Sequence, residues 1–368
     1  MTASRPPLRA VPALRPLAVA LALAAGACGA PARAEAPALA EAPPRLADTG
    51  LYAEFAARRI APEVMTWSPQ YPLWTDGAAK RRWILLPRGA VIDVTEVDAW
   101  IFPVGTKLWK EFAFHGRPVE TRYMERRADG SWLYATYAWT EDGSDAVLAP
   151  RRGVLAAAEI RPGVHHDLPS VGDCVSCHGA GPTPVLGFSA LQLSPDRDPN
   201  APHREVPPAG AVDLAVLHRR GLLPELPAAL VRDPPRVHAG TPAARAAKGY
   251  LHGNCASCHD GRGDLASLGL DLTQRIEPAP GTGPDATAAG VISRYRPAGA
   301  RGPVARLAPG DPDGSALVAR MSSRNPAAQM PPSGTHLVDE EAVRLVRAWV
   351  EELPAARPAR VAAAHPSP

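Results

Sequence analysis

The sequence carries little net charge, and it has no apolar run long enough to cross a membrane as a permanent helix. Its formal charge at pH 7 is +3 over 368 residues, of which 46% are hydrophobic and 21% are charged. These values exclude a wholly disordered chain and argue against a strongly basic nucleic-acid binder, so no nucleic acid is expected among the partners. The length predicts two or three domains. The 43 prolines and 31 glycines predict long irregular connections within them.

Familiar catalytic signatures are also missing. The chain contains no nucleophile elbow, no phosphate-binding P-loop, no HExxH zinc motif and no Rossmann glycine pattern. The only glycine pair of note, Gly281-Thr282-Gly283, is interpreted as a loop. No catalytic residue is therefore assigned from sequence motifs.

The N-terminus has the pattern of an export signal. Three arginines precede an apolar run over residues 17–27, which is too short for a membrane span. Two cleavage sites compete: a small-x-small site over 32–34 predicts a signal peptide 1–34, whereas a lipoprotein box ending at Cys28 predicts a signal 1–27 and an acylated cysteine. The expected location is the periplasm, with a lipid anchor to the outer membrane in the second case.

Four of the five cysteines form two Cys-x-x-Cys pairs, and a histidine directly follows each pair. The motifs are Cys174-Val175-Ser176-Cys177-His178 and Cys255-Ala256-Ser257-Cys258-His259. This pattern is the attachment signature of c-type haem. With 11 histidines in the chain, two such neighbours would arise by chance with a probability of about one in a thousand, given the pairs.

The chemistry of haem attachment explains this spacing. Two thiols on one turn can form thioethers with the two haem vinyl groups, and the adjacent imidazole then reaches the iron. We therefore expect two covalently attached haem c groups, with His178 and His259 as proximal ligands. A four-thiolate zinc site and a thioredoxin-like dithiol are the alternatives. The first would not need the histidines, and the second is associated with a βαβ context that the sequence lacks.

Aromatic residues are concentrated in the first half of the chain. Seven of the eight tryptophans lie between Tyr52 and Trp139. The alternating segments 119–126 and 131–139 flank an Asp-Gly pair that is typical of a hairpin. We predict an antiparallel β-sandwich-like domain over 50–160, with the aromatic residues filling its core.

The remaining chain divides into three parts. Residues 161–240 are predicted to be a loop-rich first haem-binding segment, and 354–368 a disordered tail. Between them, Thr241 is placed to cap a helix that begins with a proline. An amphipathic helix over 338–353 closes this region.

The region 241–353 resembles the cytochrome c family in its N-terminal helix, its Cys-x-x-Cys-His motif, its methionine loop and its C-terminal helix with an aromatic residue. Met330 stands in Gln-Met-Pro-Pro, the context in which that family carries its distal thioether ligand. The resemblance implies a C-terminal all-α cytochrome c domain. It also implies a His259/Met330 iron that is low-spin and of relatively high potential. Met321 is the alternative thioether ligand, and simple packing in an apolar loop is the alternative role for Met330.

Taken whole, the chain also resembles a poorly characterised group of bacterial periplasmic di-haem cytochromes with an N-terminal β-domain. Two segments carry this resemblance, Tyr71-Pro72-Leu73-Trp74-Thr75-Asp76-Gly77 and Gly249-Tyr250-Leu251-His252-Gly253-Asn254. It brings no known substrate.

The first haem lacks the usual downstream ligand, because no methionine occurs between Cys177 and Cys255. Its sixth ligand must come from elsewhere in the chain. The candidates are His165, His166, His203, His218, His238, His252, Met124 and Met65.

Two functions follow from these motifs. One is an exported di-haem protein that passes single electrons between periplasmic or membrane redox proteins. The other is a peroxidase-like di-haem oxidoreductase, in which the first iron keeps an open or displaceable position. A third hypothesis makes the β-domain the working part, with a glycan or a partner protein as its ligand.

Overall fold

The computed structural model describes residues 41–179 and 183–354. The predicted signal peptide and Cys28 lie outside these residues, as does the predicted tail beyond residue 354. The described residues from Ala42 onward belong to one unit by their contacts. Among the described residues, no helix combines the length and the apolar character that a membrane span requires.

A six-stranded antiparallel sheet dominates the first half of the described chain, and its strands lie side by side in chain order. Its strands are β3 (Met65–Trp67), β4 (Ala79–Leu85), β5 (Lys107–Phe114), β6 (Arg117–Arg126), β7 (Trp132–Trp139) and β8 (Ala146–Leu148). Two two-stranded ribbons accompany the sheet: β1 (Tyr52–Glu54) with β2 (Arg59–Ile60), and β9 (Val154–Arg161) with β10 (Val164–Leu168). The predicted hairpin is confirmed, because β6 pairs with β7 across a turn in which Gly130 has a φ of +82°.

Apart from the two ribbons, no second sheet in the described residues covers this one, so the prediction of a β-sandwich-like domain over 50–160 is wrong. One face of the sheet packs against irregular chain that includes Val185, Phe188 and Leu193, and against a short helix, α2 (Leu214–Arg219). This covering chain is rich in proline, which cannot donate to a strand ladder. It therefore buries its apolar side chains without forming strands. The opposite face holds the core in which Trp83, Trp109 and Tyr137 are buried.

Six further α-helices are present in the described residues. They are α1 (Val171–His178), α3 (Ala229–Arg232), α4 (Pro242–Asn254), α5 (Gly283–Thr287), α6 (Ala316–Met321) and α7 (Glu340–Glu352). The predicted cap of α4 is confirmed, since the Thr241 hydroxyl accepts the Ala244 N–H at 3.1 Å. Helices α4 and α7 pack together through a core that includes Leu251, Val346 and Trp349.

The C-terminal all-α cytochrome c domain predicted over 241–353 is also wrong. Between α4 and α7 the chain contains only two α-helices, of five and six residues, together with one 3-10 turn over Gly263–Leu268. Extended segments meet there in isolated bridges, such as those of Ile292 with Ala305 and Ala289 with Leu307. The physical reason is composition, because prolines and glycines interrupt every stretch between the two long helices.

The two segments that carried the whole-chain resemblance lie in contact. The Tyr71 ring packs against α4 at Gly249, where a Cβ atom would stand 2.0 Å from the ring carbon Cε1. At Gly253 a Cβ atom would stand 2.4 Å from the carbonyl oxygen of Tyr71. The Trp74 N–H donates to Asn254 Oδ1 at 2.7 Å. The segment 71–77 is thereby attached to the end of α4, directly before the second cysteine motif.

Candidate haem-attachment sites

The first motif lies on α1, a helix that begins with a complete capping box. The Ser170 hydroxyl accepts the Asp173 N–H, and the Asp173 carboxylate accepts the Ser170 N–H at 2.8 Å. No residue of α1 is fully buried, but Cys174, Cys177 and His178 are half-buried. The capping box therefore holds Cys174, Cys177 and His178 on a helix that contributes little to the hydrophobic core.

The orientation of His178 is fixed by one hydrogen bond. Its Nδ1 donates to the carbonyl oxygen of Pro184 at 2.6 Å. Burial lowers the pKa of His178 to about 4, although the Pro184 carbonyl opposes this shift. A neutral imidazole with its hydrogen on Nδ1 keeps a free lone pair on Nε2, which is the state that a metal-binding histidine requires. The Tyr134 ring lies beside it, with the ring centres 5.6 Å apart.

The second motif forms a tight turn directly after α4. The His259 N–H donates to the Cys255 carbonyl at 2.9 Å, and the Leu272 N–H donates to the His259 carbonyl at 2.7 Å. The Nδ1 atom of His259 is buried and has no hydrogen-bond partner within the described residues. The backbone of the second motif is thus well held, whereas its imidazole lacks the orienting bond that His178 makes.

Met330 and Cys255 line the same small cavity. Its other walls include Met321, Tyr250 and Trp74. The cavity volume of about 40 Å³ suits one or two water molecules and not a macrocycle. The structure therefore shows that the predicted thioether ligand and a predicted attachment thiol converge, but no complete haem cleft.

Arg324 holds the methionine loop from inside this cavity. Its guanidinium donates to the carbonyl oxygens of Leu337 at 2.7 Å, Met321 at 3.1 Å and Met330 at 3.5 Å. Met321 itself is only 7% exposed and packs in the core between α4 and α7. Met330, in contrast, is partly exposed in the loop.

The two motifs meet in space. The thiols of Cys177 in the first motif and Cys258 in the second lie close enough to shift each other's ionisation: Cys258 raises the pKa of Cys177, and Cys177 lowers the pKa of Cys258 to about 6. These residues are 81 positions apart in the sequence, so no local signal predicts their contact. No disulfide links the four described cysteines. Their thiols also do not gather into a zinc-type site, since no group of three or more His, Cys, Asp or Glu side chains suited to a metal ion occurs in the described ranges.

In two candidates for the sixth ligand of the first haem, the Nε2 atom is hydrogen-bonded to a carboxylate. His166 is 2% exposed, and its Nε2 lies 2.9 Å from Glu120 Oε1. The Nε2 of His203 lies 2.8 Å from Asp339 Oδ1. A ring nitrogen that donates to a carboxylate has no lone pair for a metal, so neither residue fits as an Nε2 ligand in this arrangement.

Other histidine candidates differ in their surroundings. The Nδ1 of His252 accepts the Gln274 N–H at 3.1 Å, so the neutral ring carries its hydrogen on Nε2. Burial lowers the pKa of His252 to about 4. The Nδ1 of His218 is buried without a partner among the described residues. The remaining two candidates are exposed: His165 and His238.

The two methionine candidates lie on the large sheet. Met124 is 9% exposed and belongs to the core on one face of the sheet, and Met65 packs against the same core. Met124 pairs across β6 and β7 with Tyr134, whose ring contacts His178. The sixth ligand of the first haem stays a prediction among these candidates.

Several residues near the first motif carry no sequence signature. The charge of Arg122 acts on the thiols of Cys174 and Cys177, and both Arg122 and Lys110 act on His178. Arg122 pairs with Glu120. Strand alternation places these side chains on one face of β5 and β6, but only the tertiary structure shows that α1 packs over that face.

The residues present fit a c-type haem at the first motif, because two thiols share one helix turn and His178 offers Nε2. At the second motif the thiols and the Met330 thioether are the donor types that a haem requires, but the cavity between Cys255 and Met330 is smaller than a macrocycle and His259 lacks an orienting partner. No family model matches the chain, and no curated protein or solved structure is significantly similar to it.

Proposed function

We propose that the chain is an exported protein that carries two covalently attached haem c groups and transfers single electrons. The observation that supports this function best is the convergence of the two Cys-x-x-Cys-His motifs, in which the Cys177 and Cys258 thiols lie close enough to shift each other's pKa. Two attachment points at one place suit two one-electron centres that exchange electrons with each other.

Each group would be held by residues of one motif. Cys174 and Cys177 would form the thioethers of the first group, with His178 as its iron ligand. The second group would be held by Cys255, Cys258 and His259, with Met330 as the thioether ligand. When bound, a haem supplies reversible one-electron chemistry, and its axial ligands, hydrogen bonds and burial set the potential.

The protein's own contribution is to position the ligands. The Pro184 carbonyl holds the His178 ring and keeps its hydrogen on Nδ1. Arg324 ties the backbone of the methionine loop to Met321 and Leu337. A ligand set that is held before the metal centre forms has less freedom to lose and keeps one geometry through repeated oxidation and reduction.

The partners we propose are periplasmic or membrane redox proteins. The export signal and the apolar run at 17–27 support a periplasmic location, where covalent attachment prevents haem loss. Acylation of Cys28 would add an anchor to the outer membrane.

One observation favours a second function, a peroxidase-like oxidoreductase at the first haem. Glu120 is fully buried and binds both His166 and Arg122, and the charge of Arg122 acts on the thiols of the first motif. A buried acid–base pair beside a haem with an open position supplies the proton donor and acceptor that proton-coupled chemistry on a small substrate requires. The spin state of the first iron distinguishes the two functions.

The test is electron paramagnetic resonance of the fully oxidised protein, with the haem content measured on the same sample by a pyridine haemochrome assay. We expect two haems per chain and two low-spin ferric signals. The variants Cys177→Ser and Cys258→Ser should each lose one thioether bond, whereas Ser176→Ala, between the first two cysteines, should retain both. One high-spin signal that peroxide alters would favour the second function. A purified periplasmic protein without haem would refute both.

A further inference from the structure

Four cationic side chains lie together on one face of the large sheet, beside the first motif. Arg82 on β4 is the register partner of Lys110 on β5, and Lys110 is the partner of Arg122 on β6. Lys80 lies two residues before Arg82, on the same face. We call these four residues the cationic row. Adjacent strands are about 4.8 Å apart, so the row extends about 10 Å from Arg122 to Arg82.

The row contains more positive charge than its neighbours balance. Arg122 pairs with the fully buried Glu120, and Arg82 pairs with Glu205. Neither Lys80 nor Lys110 makes an ion pair within the described residues. Set against these two carboxylates, the row carries an excess of two positive charges when its lysines are protonated, and the carboxylate of Asp76 acts on Lys80 from farther away.

Three side chains of the row lack a full set of hydrogen-bond acceptors. Arg82 is only 3% exposed, yet its Nη2 atom is buried without a hydrogen-bond partner among the described residues. The Lys80 ammonium donates to the Ala78 carbonyl at 3.1 Å, and the Lys110 ammonium lies 4.9 Å from the centre of the Phe112 ring. A buried guanidinium nitrogen without an acceptor is costly, which points to an anion as its missing partner.

Burial and the neighbouring positive charges also lower the pKa values of the two lysines. Burial and the neighbouring Arg82 lower the pKa of Lys80 to about 7. Burial, Arg82 and Lys80 together lower the pKa of Lys110 well below its ordinary value of 10.5. An anion bound in the row would raise both pKa values again, because it stabilises the protonated amines.

The position of the row limits which anion it can hold. Its Arg122 end lies near the thiols of Cys174 and Cys177, and that end is already neutralised by Glu120. The two unpaired lysines and the unpartnered Nη2 atom of Arg82 lie beyond Arg122 along the row, and we call these three residues, Lys80, Arg82 and Lys110, its far end. In a c-type haem the two propionates are carried on the porphyrin edge opposite the two thioethers. Two carboxylates at that edge match the two unpaired lysines of the row in number.

We propose that the far end of the cationic row binds the two propionate carboxylates of the haem attached to Cys174 and Cys177. This inference rests on the proposed function, since it requires a haem at the first motif. It gives the large sheet a direct part in holding the cofactor. The bonds from Arg82 and the two lysines are charge-assisted, and such bonds are about twice as strong as neutral ones.

The experiment labels the propionates of the holoprotein with carbon-13 by feeding 5-aminolevulinate labelled at its carboxyl group. Redox-difference infrared spectra then report the labelled carboxylate stretches alone. We expect some of these bands to shift in Lys110→Met and in Lys80→Met. The matched control is Lys107→Met, because Lys107 lies on the same strand as Lys110 but on the opposite face, where its ammonium binds the Thr49 carbonyl. The control spectrum should superimpose on that of the unmodified protein.

The haem count separates this inference from the proposed function. Two haems per chain with labelled bands that are identical in Lys110→Met and the unmodified protein would overturn the inference and leave the function standing. If Lys110→Met does not fold, the Lys80→Met spectrum decides in the same way. A protein without haem would overturn both.

A free oxyanion is the other source of the same chemistry. Calorimetric titration of the holoprotein with sodium sulfate tests it, and we expect no saturable binding, because the propionates already occupy the row. Saturable sulfate binding that is lost in Lys110→Met and kept in Lys107→Met would overturn the propionate assignment in favour of a free anion.

Discussion

Replacing Gly249 by alanine tests the contact that attaches the segment 71–77 to α4. Helix propensity alone favours the change, because glycine within a helix costs about 1 kcal/mol relative to alanine. The new Cβ atom would, however, stand 2.0 Å from Cε1 of the Tyr71 ring, far inside a carbon–carbon contact of about 3.5–4.0 Å. Tyr71 is 2% exposed, and its hydroxyl donates to Asp198 at 3.1 Å, so the ring has little room to move.

The clash is expected to outweigh the propensity. Overpacking of a core costs about 1–3 kcal/mol, and a displaced Tyr71 ring would leave a buried hydrogen bond unmade at a cost of about 1–3 kcal/mol. We expect Gly249→Ala to lower the free energy of unfolding by roughly 2–4 kcal/mol, which corresponds to a fall in Tm of roughly 4–8 °C. Denaturant unfolding of the purified protein, followed by circular dichroism and by tryptophan fluorescence, measures the change.

Two further variants make this test specific. Gly240→Ala is the matched control, since no atom lies within 4 Å of a Cβ there, and its effect should stay within about 0.5 kcal/mol. In a Tyr71→Ala background the clash is absent, so Gly249→Ala should then be neutral or stabilising by up to about 1 kcal/mol. If Gly249→Ala stabilises the unmodified protein by that amount, the argument from close packing is refuted.

Three other predictions concern the first motif and its surroundings. Ser170→Ala removes the N-cap of α1 and should lower the free energy of unfolding by about 0.5–2 kcal/mol; an unchanged denaturation midpoint would contradict the capping role. In a chain produced without haem attachment and exposed to an oxidant, peptide mass spectrometry without reduction should find a Cys177–Cys258 disulfide, whereas a Cys174–Cys177 disulfide alone would contradict the contact between the motifs. Burial would raise the pKa of Glu120, but Arg122 and His166 lower it overall from its ordinary value of 4.5. Its ionisation therefore stabilises the fold above that value, and the contribution is lost as the pH falls through the lower folded pKa. Glu120→Gln should lower the free energy of unfolding at neutral pH and reduce its further decrease in acid. An unchanged decrease of the free energy of unfolding with falling pH would contradict the assignment.

The features that were predicted correctly depend on neighbouring residues. Thr241 caps α4 and the Asp-Gly turn joins β6 to β7 because each signal acts within one turn of the backbone. The fold class was predicted wrongly because it depends on what covers a surface. Apolar residues after β10 cover the sheet and pair with it only in the isolated bridge of Val212 with Trp67, and the chain between α4 and α7 is mostly turns and bridges. Irregular covering chain and isolated bridges have no regular spacing of apolar residues, so a short window of sequence does not predict them.

What the sequence by itself determined is the set of motifs from which the chemistry is predicted: two Cys-x-x-Cys-His motifs, a methionine in a proline-rich loop and an N-terminal segment with the pattern of an export signal. These patterns are local, because haem attachment requires its thiols and imidazole within one turn. Only the tertiary structure brought Cys177 to Cys258, placed Tyr71 against the glycines of α4, and aligned Arg82, Lys110 and Arg122 beside the first motif. The physical reason is that these contacts join residues far apart in the chain. They depend on strand register and on the packing of one segment against another, and a short stretch of sequence determines neither.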